Sequence, residues 1–410
     1  MQDRQLYQQI LGIMSPWFVE RVELKLESGE VNVHLSHPTS ASWQCAECGR
    51  ECPLYDHQPV RTWRHLDTCQ YRTLMHAALP RTECPEHGVR VVRISWAEPG
   101  SHFTVLFERL AIDWLQEACQ QAVARQLDLS RDEVHAIMER AVRRGLARRK
   151  ADDLPHLGVD EKAFLRGHQY VTIVVDTWRS RVLYVAKGRD QASLDGFWPT
   201  LTAQQLAEVE LVAMDMHRPY INSVRAHLPQ GEKKIVFDKF HVAKHLGEAV
   251  DKVRRAENKM LLKDDDRRLV GTKYDWLRNP ANFARDQWNE FRGLRESKLK
   301  TARACALKDQ GMLFWDCPNA RQAERHFQWW YRWATHSRLK PIIDKAKMLK
   351  PHLPNLLTYF KCWLTNAFCE SLNSKIQWVK YTARGFRNFD NFATAIYFHC
   401  GKLDMTPSPT

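Results

Sequence analysis

The chain has 410 residues, of which 61 are Lys or Arg and 48 are Asp or Glu, so its formal net charge is +13 and its pI is near 9.2. A hydrophobic fraction of 44% excludes a disordered chain, and at roughly 100–200 residues per domain the length predicts several domains. The mean hydropathy of −0.51, with no apolar run of about 18 residues, excludes a membrane-spanning helix. The basic charge is typical of nucleic-acid binding, although many ordinary surfaces are basic too.

The first hundred residues are predicted to form a small β-rich module that needs a metal. Apolar and polar residues alternate over residues 22–35, as they do in a half-buried hairpin. Residues 43–87 lack long apolar runs but hold a concentration of cysteines found nowhere else in the chain. The chain has 11 cysteines in all, an odd number, and no secretory signal, which indicates reduced thiols in the cytosol rather than a disulfide framework.

Two pairs of potential metal ligands in this module share a two-residue spacing: Cys45 with Cys48, and Cys84 with His87. That spacing lets both members of a pair reach one ion from a tight turn, so we predict a tetrahedral zinc site. A closed site of four ligands would be structural and would substitute for a core that this stretch cannot build. The alternatives are ordinary free thiols, or Cys52 or Cys69 in place of the histidine.

Residues 101–150 are predicted to form a helix-turn-helix DNA-binding domain, with the motif over residues 121–140. Ala124 supplies the small residue that the motif needs on its first helix, and Asp128 the residue in a left-handed turn. Val134 is the apolar residue of the second helix that packs against the first. Ser130 with Glu133 forms an S-x-x-E capping box that opens the second helix. Cations suited to phosphate contact lie on or after this helix: Arg131, Arg140, Arg143 and Arg144. Any two-helix hairpin is the alternative, and the basic run over residues 143–150 is interpreted as a linker.

An α/β domain is predicted from residue 151 onwards. Strands are expected at residues 157–159, 170–175, 182–185, 209–214 and 234–237, with a helix over 193–206 and another before the last strand. We assign residues 151–245 to the first part of this domain. Residues 246–362 are almost wholly helical and rich in Trp, which predicts an all-α insertion domain, and residues 363–410 are expected to add C-terminal helices to the α/β domain.

Two carboxylates stand out by their positions at the ends of predicted buried strands. Asp160 directly follows residues 157–159, and Asp215 directly follows residues 211–214. If the two strands are neighbours in one sheet, the carboxylates converge and supply hard oxygen ligands for magnesium. For either aspartate taken alone, a turn-forming residue at the end of a strand is the favoured interpretation.

A third acid, Glu370, is expected on a helix that begins near residue 366. One face of that helix is polar (Asn366, Glu370, Asn373 and Gln377), and another is apolar (Phe368, Leu372 and Ile376). A polar face without lysine suits the wall of an active site. The cations that follow could bind a DNA backbone: Lys375, Lys380, Arg384 and Arg387.

The chain resembles the bacterial insertion-sequence transposases of the ISL3 family. The segments that carry the resemblance are residues 158–162 (Gly-Val-Asp-Glu-Lys), 176, 188–190, 214–216, 236–241, 251–255 and 365–373, and it extends to the zinc-binding and helix-turn-helix parts. The resemblance implies an RNase H-like catalytic domain, interrupted by a helical insertion, with the acidic triad Asp160, Asp215 and Glu370. Asp238 and His241 form a D-x-x-H motif expected to support the site; a helix N-cap with a buried histidine is an equal alternative.

We therefore predict a DDE transposase that uses two Mg²⁺ or Mn²⁺ ions to cleave double-stranded DNA at terminal inverted repeats and join it to target DNA. No ATP is expected because no G-x-x-x-x-G-K-[ST] loop is present. We expect a homodimer on paired ends, in the cytoplasm and at the nucleoid when bound to DNA. The alternatives are a sequence-specific DNA-binding regulator with an inactive RNase H-like scaffold, and a nuclease or junction resolvase that cuts without joining.

Overall fold

The structure is a computed structural model that describes residues 3–165, 169–237, 239–279, 282–363 and 367–407; of residues 362 and 367–371 it describes the backbone only. The chain divides into two units, which we call unit 1 (Met1–Arg149 with Tyr397–Thr410) and unit 2 (Lys150–Ile396). No helix in the described ranges is long and apolar enough to cross a membrane.

Unit 1 begins with a helix and continues with short strands. These elements are α1 (Asp3–Ile10), β1 (Phe18–Lys25), β2 (Glu30–Ser36), β3 (Trp43–Gln44), β4 (Glu51–Cys52), β5 (Leu54–His57), β6 (Arg61–Arg64), β7 (Arg72–Ala77), β8 (Pro80–Cys84) and β9 (Gly88–Val91). They form sheets in the orders β1-β2-β7-β6, β3-β4 and β5-β8-β9. The antiparallel pairing of β1 with β2 confirms the predicted hairpin. Tryptophan rings pack edge to face in the core beneath the first sheet, with Trp96 contacting both Trp17 and Trp63.

Three helices follow in unit 1: α2 (Val105–Glu117), α3 (Gln120–Gln126) and α4 (Arg131–Ala147). The basic run predicted as a linker therefore lies largely inside α4. A later segment of the chain packs on the end of α4, where Arg144 Nη1 donates to the carbonyl of Met405 (2.5 Å) and Arg148 Nη1 to that of Thr406 (2.6 Å). A Cβ atom at Gly145 would lie 2.6 Å from Leu403 Cβ, so glycine is what permits this close approach.

Unit 2 is built on a five-stranded sheet. Its strands are β10 (His156–Leu165), β11 (Gln169–Asp176), β12 (Arg181–Lys187), β13 (Leu211–Met214) and β14 (Ile235–Phe237), in the order β12-β11-β10-β13-β14. The first three strands are antiparallel, whereas β13 is parallel to both β10 and β14. All five predicted strands are present, but β10 is longer than predicted because its outer half pairs with β11 as a hairpin arm. Asp160 therefore lies within β10 and not at its tip.

The helices around the sheet are short: α5 (Gln191–Asp195), α6 (Ala203–Glu208), α7 (Arg218–His227) and α8 (Gly231–Lys234). The single helix predicted over residues 193–206 is wrong. It is divided into α5, a 3₁₀ turn over Trp198–Thr200 and α6. Pro199 cannot continue a helix from the preceding turn, and Thr202 caps α6 by accepting from Gln205 N.

The described remainder of unit 2 is mostly helical, as predicted for residues 246–362. The helices are α9 (Lys239–Leu261), α10 (Lys273–Leu277), α11 (Arg285–Arg295), α12 (Lys300–Met312), α13 (Ala320–Thr335), α14 (Lys340–Leu349), α15 (Leu353–Leu357) and α16 (Tyr359–Cys362), followed by α17 (Ala367–Thr382) and α18 (Phe389–Cys400). Three of the tryptophans noted in the sequence, Trp276, Trp315 and Trp330, are buried in the core. They belong to one hydrophobic core with Val242 and Leu246 of α9.

Candidate active site and metal centre

Asp160 and Asp215 are positioned by two neighbouring parallel strands, since Asp160 lies within β10 and Asp215 directly follows β13. The last pair between the two strands is Gly158 with Ala213, and each aspartate follows its member of that pair by two residues (160 − 158 = 215 − 213 = 2). Paired residues of adjacent strands are about 4.8 Å apart and point to the same face of the sheet. Their side chains are 20% and 28% exposed, so both carboxylates are accessible at this edge. Two partly exposed carboxylates at this separation fit the oxygen ligands that a divalent ion requires.

The carboxylate of Asp160 is held by three donors. Its Oδ1 accepts from the backbone N of Glu161 at 2.7 Å, and its Oδ2 accepts from Asn373 Nδ2 at 2.5 Å. Lys162 Nζ lies 3.3 Å from the same Oδ2. Sequence reasoning placed Asn373 on the polar face of α17 but did not predict this bond, which joins α17 to β10. The sequence did contain an indication that Asn373 would lie near Asp160. Asn373 follows Glu370 by three residues, and residues three apart share one face of a helix.

Asp215 lies beside His241, the histidine of the predicted D-x-x-H motif. Asp215 Oδ1 accepts from Met216 N at 2.6 Å, and its Oδ2 is 3.9 Å from His241 Nε2. One turn further along α9, His245 Nδ1 is 2.9 Å from Lys345 Nζ, and burial lowers the pKa of His245. Asp238 and the side chain of Glu370, both predicted to belong to this site, lie outside the described residues.

The four predicted zinc ligands come together in unit 1. Ligand atoms of Cys45, Cys48, Cys84 and His87 all lie within 4.8 Å of one another. Cys48 Sγ and Cys84 Sγ are 3.8 Å apart, and two thiolates about 2.3 Å from one tetrahedral ion would be about 3.8 Å apart. His87 Nδ1 is 3.5 Å from Cys84 Sγ and 3.9 Å from Cys45 Sγ. The donor set and its spacing therefore fit zinc.

Local backbone structure explains how these ligands converge. Cys45 follows β3 and enters a tight turn in which Gly49 has φ 70°, a left-handed value that favours glycine. Cys84 ends β8, and the turn to β9 carries His87. The hydrogen bond with His87 lowers the pKa of the Cys84 thiol to about 6, which favours the thiolate that a metal binds.

The two alternative cysteines are placed differently. Cys52 is buried against Cys45 and Cys84, and burial raises the pKa of its thiol. Cys69 is exposed and lies outside the described cluster of ligands. The arrangement therefore favours His87 over either cysteine as the fourth ligand.

The predicted helix-turn-helix is present as α3 and α4. Asp128 has φ 51°, the left-handed turn conformation that was expected, and Ala124 and Val134 are buried between the helices. Ser130 Oγ accepts from Glu133 N at 3.2 Å, while Ser130 N donates to Glu133 Oε2 at 2.8 Å. The capping box read from the sequence is thus confirmed.

Only two of the four cations predicted on α4 face solvent. Arg131 and Arg143 are exposed. Arg140 and Arg144 turn inward to Glu108, a carboxylate on α2 that is 1% exposed, with nitrogen–oxygen distances of 2.6 and 3.3 Å. A DNA-binding role for Arg140 and Arg144 does not fit these contacts, because a buried acid already uses their charges.

The cations predicted near Glu370 are also divided between two environments. Lys375, Arg384 and Arg387 are exposed. Lys380 instead donates from Nζ to the carbonyl of Ala163 at 2.6 Å and so attaches α17 to the outer half of β10. Three of the four therefore remain available to a polyanion.

Comparison with known proteins places these features in one family. A transposase model of the ISL3 type matches residues 157–396, a zinc-finger model of the transposases of IS204, IS1001, IS1096 and IS1165 matches residues 41–87, and the helix-turn-helix model of transposase family ISL3 matches residues 92–142. The transposase for insertion sequence element IS1001 of Bordetella parapertussis is 29% identical, over 96% of this chain and 97% of its own length. The transposase for insertion sequence element IS1557 of Mycobacterium tuberculosis is 26% identical, over 95% of this chain and 93% of its own length.

Proposed function

The chain belongs to the ISL3 family of transposases, enzymes that act on DNA, and from this premise we propose that it cleaves DNA at the terminal inverted repeats of an insertion sequence and transfers the cut strands to target DNA. The observation that carries the proposal is the pair of carboxylates positioned by two adjacent parallel strands, Asp160 within β10 and Asp215 directly after β13. Helix α17 is hydrogen-bonded to Asp160 through Asn373. Glu370, one helical turn before Asn373, completes the proposed triad.

The proposed catalytic fold is RNase H-like. An antiparallel three-stranded meander followed by two parallel strands supports this assignment, as does a helical insertion between β14 and α17. The proposed domains are the zinc module (1–100), the helix-turn-helix (101–150), the first part of the catalytic domain (151–245), the all-α insertion (246–362) and the C-terminal helices (363–410).

In the proposed mechanism, the carboxylates of Asp160, Asp215 and Glu370 hold two divalent ions, Mg²⁺ or Mn²⁺. Such ions, when bound, activate the attacking oxygen and stabilise the leaving oxygen of a phosphoryl transfer. Asn373 orients Asp160, and His241 supports Asp215 from α9. The exposed cations Lys375, Arg384 and Arg387 would hold the phosphates of the strand being cut.

The partners proposed for the other domains follow from their chemistry. The helix-turn-helix would bind the terminal repeats through Arg131 and Arg143. The separate zinc module would fold around an ion held by Cys45, Cys48, Cys84 and His87. Cutting both ends of an element together favours a homodimer. The charge of +13 supplies the attraction to DNA that all of these steps require.

The test is a cleavage and strand-transfer assay on DNA that carries the flanking ends of the chain's own coding region, with Mg²⁺ or Mn²⁺. Asp160→Asn and Glu370→Gln should abolish both steps and leave DNA binding intact, since neither substitution removes a cation. Glu210→Gln is the matched control, because Glu210 is an exposed acid at the opposite end of β13. Full cleavage by Asp160→Asn would refute the triad. Cleavage without joining would indicate a nuclease, and binding without cleavage by the unmodified protein would indicate a regulator.

A further inference from the structure

Helix α17 buries one face and leaves two large aromatic side chains on the other. The buried positions repeat at helical spacing: Leu372, Ile376 and Val379. On the outer face, Trp378 is 47% exposed and Tyr381 is 80% exposed. We call these two residues the aromatic face of α17. They lie three residues apart, so their rings are neighbours along the helix surface.

Cations flank the aromatic face. Lys375 precedes it by one turn, and Arg384 and Arg387 follow it. Within the described part of the chain, no acidic side chain forms an ion pair with any of these three cations. Single-stranded nucleic acids bind surfaces on which aromatic rings are flanked by cations that have no acidic partner. The bases stack on the rings, and the cations hold the phosphates.

The aromatic face is held at a fixed distance from Asp160. Asn373 bonds to Asp160 and Lys380 bonds to Ala163, so the part of α17 that carries the aromatic face is fixed to β10 at two points. At about 1.5 Å per residue, Trp378 lies about 8 Å and Tyr381 about 12 Å along the helix from Asn373. Measured along the helix axis alone, these rises equal those of about two to four stacked nucleotides, at about 3.4 Å each.

We propose that the aromatic face of α17 is a stacking site for unpaired nucleotides of the DNA strand next to the cut phosphate. Duplex DNA hides the faces of its bases, so exposed rings at this place suit a strand that has separated from its partner. The inference deepens the proposed function and rests on it, because the position of the cut phosphate is that of Asp160 and Asp215.

The experiment compares single-stranded with duplex DNA, using the full-length zinc-loaded protein. The probes are a fluorescein-labelled oligothymidylate of about 12 nucleotides and a duplex of the same length, followed by fluorescence anisotropy. The double variant Trp378→Ala/Tyr381→Ala should lose about 30-fold in affinity for the single strand and less than about threefold for the duplex. Trp378→Phe/Tyr381→Phe should retain single-strand binding, because phenyl rings still stack. Tyr274→Ala, which removes a 70% exposed ring from α10, should change neither affinity.

Three results would overturn the proposal. The first is an unchanged affinity of the double alanine variant for the single strand, and the second is an equal loss of its affinity for both probes. The third is that light scattering shows a dimer for the unmodified protein and none for the double alanine variant, which would make the aromatic face a contact between copies of the chain. Failure of the proposed function is a separate result. If Asp160→Asn still cleaves DNA while the alanine variant loses single-strand binding, the triad is wrong and the stacking site stands.

Discussion

Replacing Glu108 with alanine should destabilise unit 1 strongly. Glu108 is 1% exposed, and its carboxylate accepts from Ser101 Oγ at 2.7 Å and Arg140 Nε at 2.8 Å. Arg140 has no other acidic partner in the described part of the chain, and its side chain is 14% exposed. Arg144 also loses one partner but keeps Glu98 at 2.7 Å. The substitution therefore leaves at least one guanidinium largely buried without its counter-charge.

Breaking a buried ion pair by removing one partner costs about 3–5 kcal/mol. For a unit of this size, 1 kcal/mol shifts the melting temperature by about 2–4 °C, so Glu108→Ala should lower the melting temperature of unit 1 by about 10 °C. Glu108→Gln keeps an acceptor and the shape of the side chain, so its loss should be about half as large. The assay is differential scanning calorimetry of the full chain.

A matched control and a double variant test whether the loss of stability comes from the buried ion pair. Glu117 is an exposed acid on the same helix, and Glu117→Ala should change stability by less than about 0.5 kcal/mol. Removing both partners in Glu108→Ala/Arg140→Ala should recover part of the loss, because no unpaired charge stays buried at Arg140. A shift below about 3 °C for Glu108→Ala, or strictly additive losses in the double variant, would refute the reasoning.

Two further predictions concern the metal centre and the hydrogen bond to Asp160. Chelating zinc, or replacing Cys48 with serine, should unfold the N-terminal module and abolish binding of the terminal repeats. Circular dichroism measures the unfolding and a gel-shift assay measures the binding. Unchanged binding after chelation would exclude a structural zinc site. Asn373→Ala should reduce cleavage about 10- to 100-fold and raise the Mg²⁺ concentration needed for half-maximal activity, with DNA affinity unchanged; an unaltered Mg²⁺ dependence would contradict the positioning role.

Local patterns predicted local structure well. The capping box of Ser130 and Glu133 and the left-handed turn at Asp128 depend on residues close in sequence, and both are present. The convergence of the zinc ligands also followed from spacing, because each pair sits in its own tight turn. Strands β11, β13 and β14 were found because their apolar runs are buried on both faces.

What the sequence could not predict depends on partners far along the chain. Arg140 and Arg144 were predicted to bind DNA because the sequence shows their positive charges on a helix. It does not show that Glu108 on α2, 32 and 36 residues earlier in the chain, forms ion pairs with them. The length of β10 was missed for a similar reason. Its outer half is too polar to be read as a buried strand, and only its pairing with β11 holds it extended.

The packing of residues 401–406 on the end of α4 has a consequence for how the protein is made. The carbonyl groups that accept from Arg144 and Arg148 lie 261 and 258 residues further along the chain. At about 5–20 residues per second, a ribosome needs roughly 13–50 seconds to reach them after α4 has been synthesised. During that interval all of unit 2 is produced, while α4 still lacks these acceptors. Unit 1 therefore reaches its final form only after unit 2 has been translated.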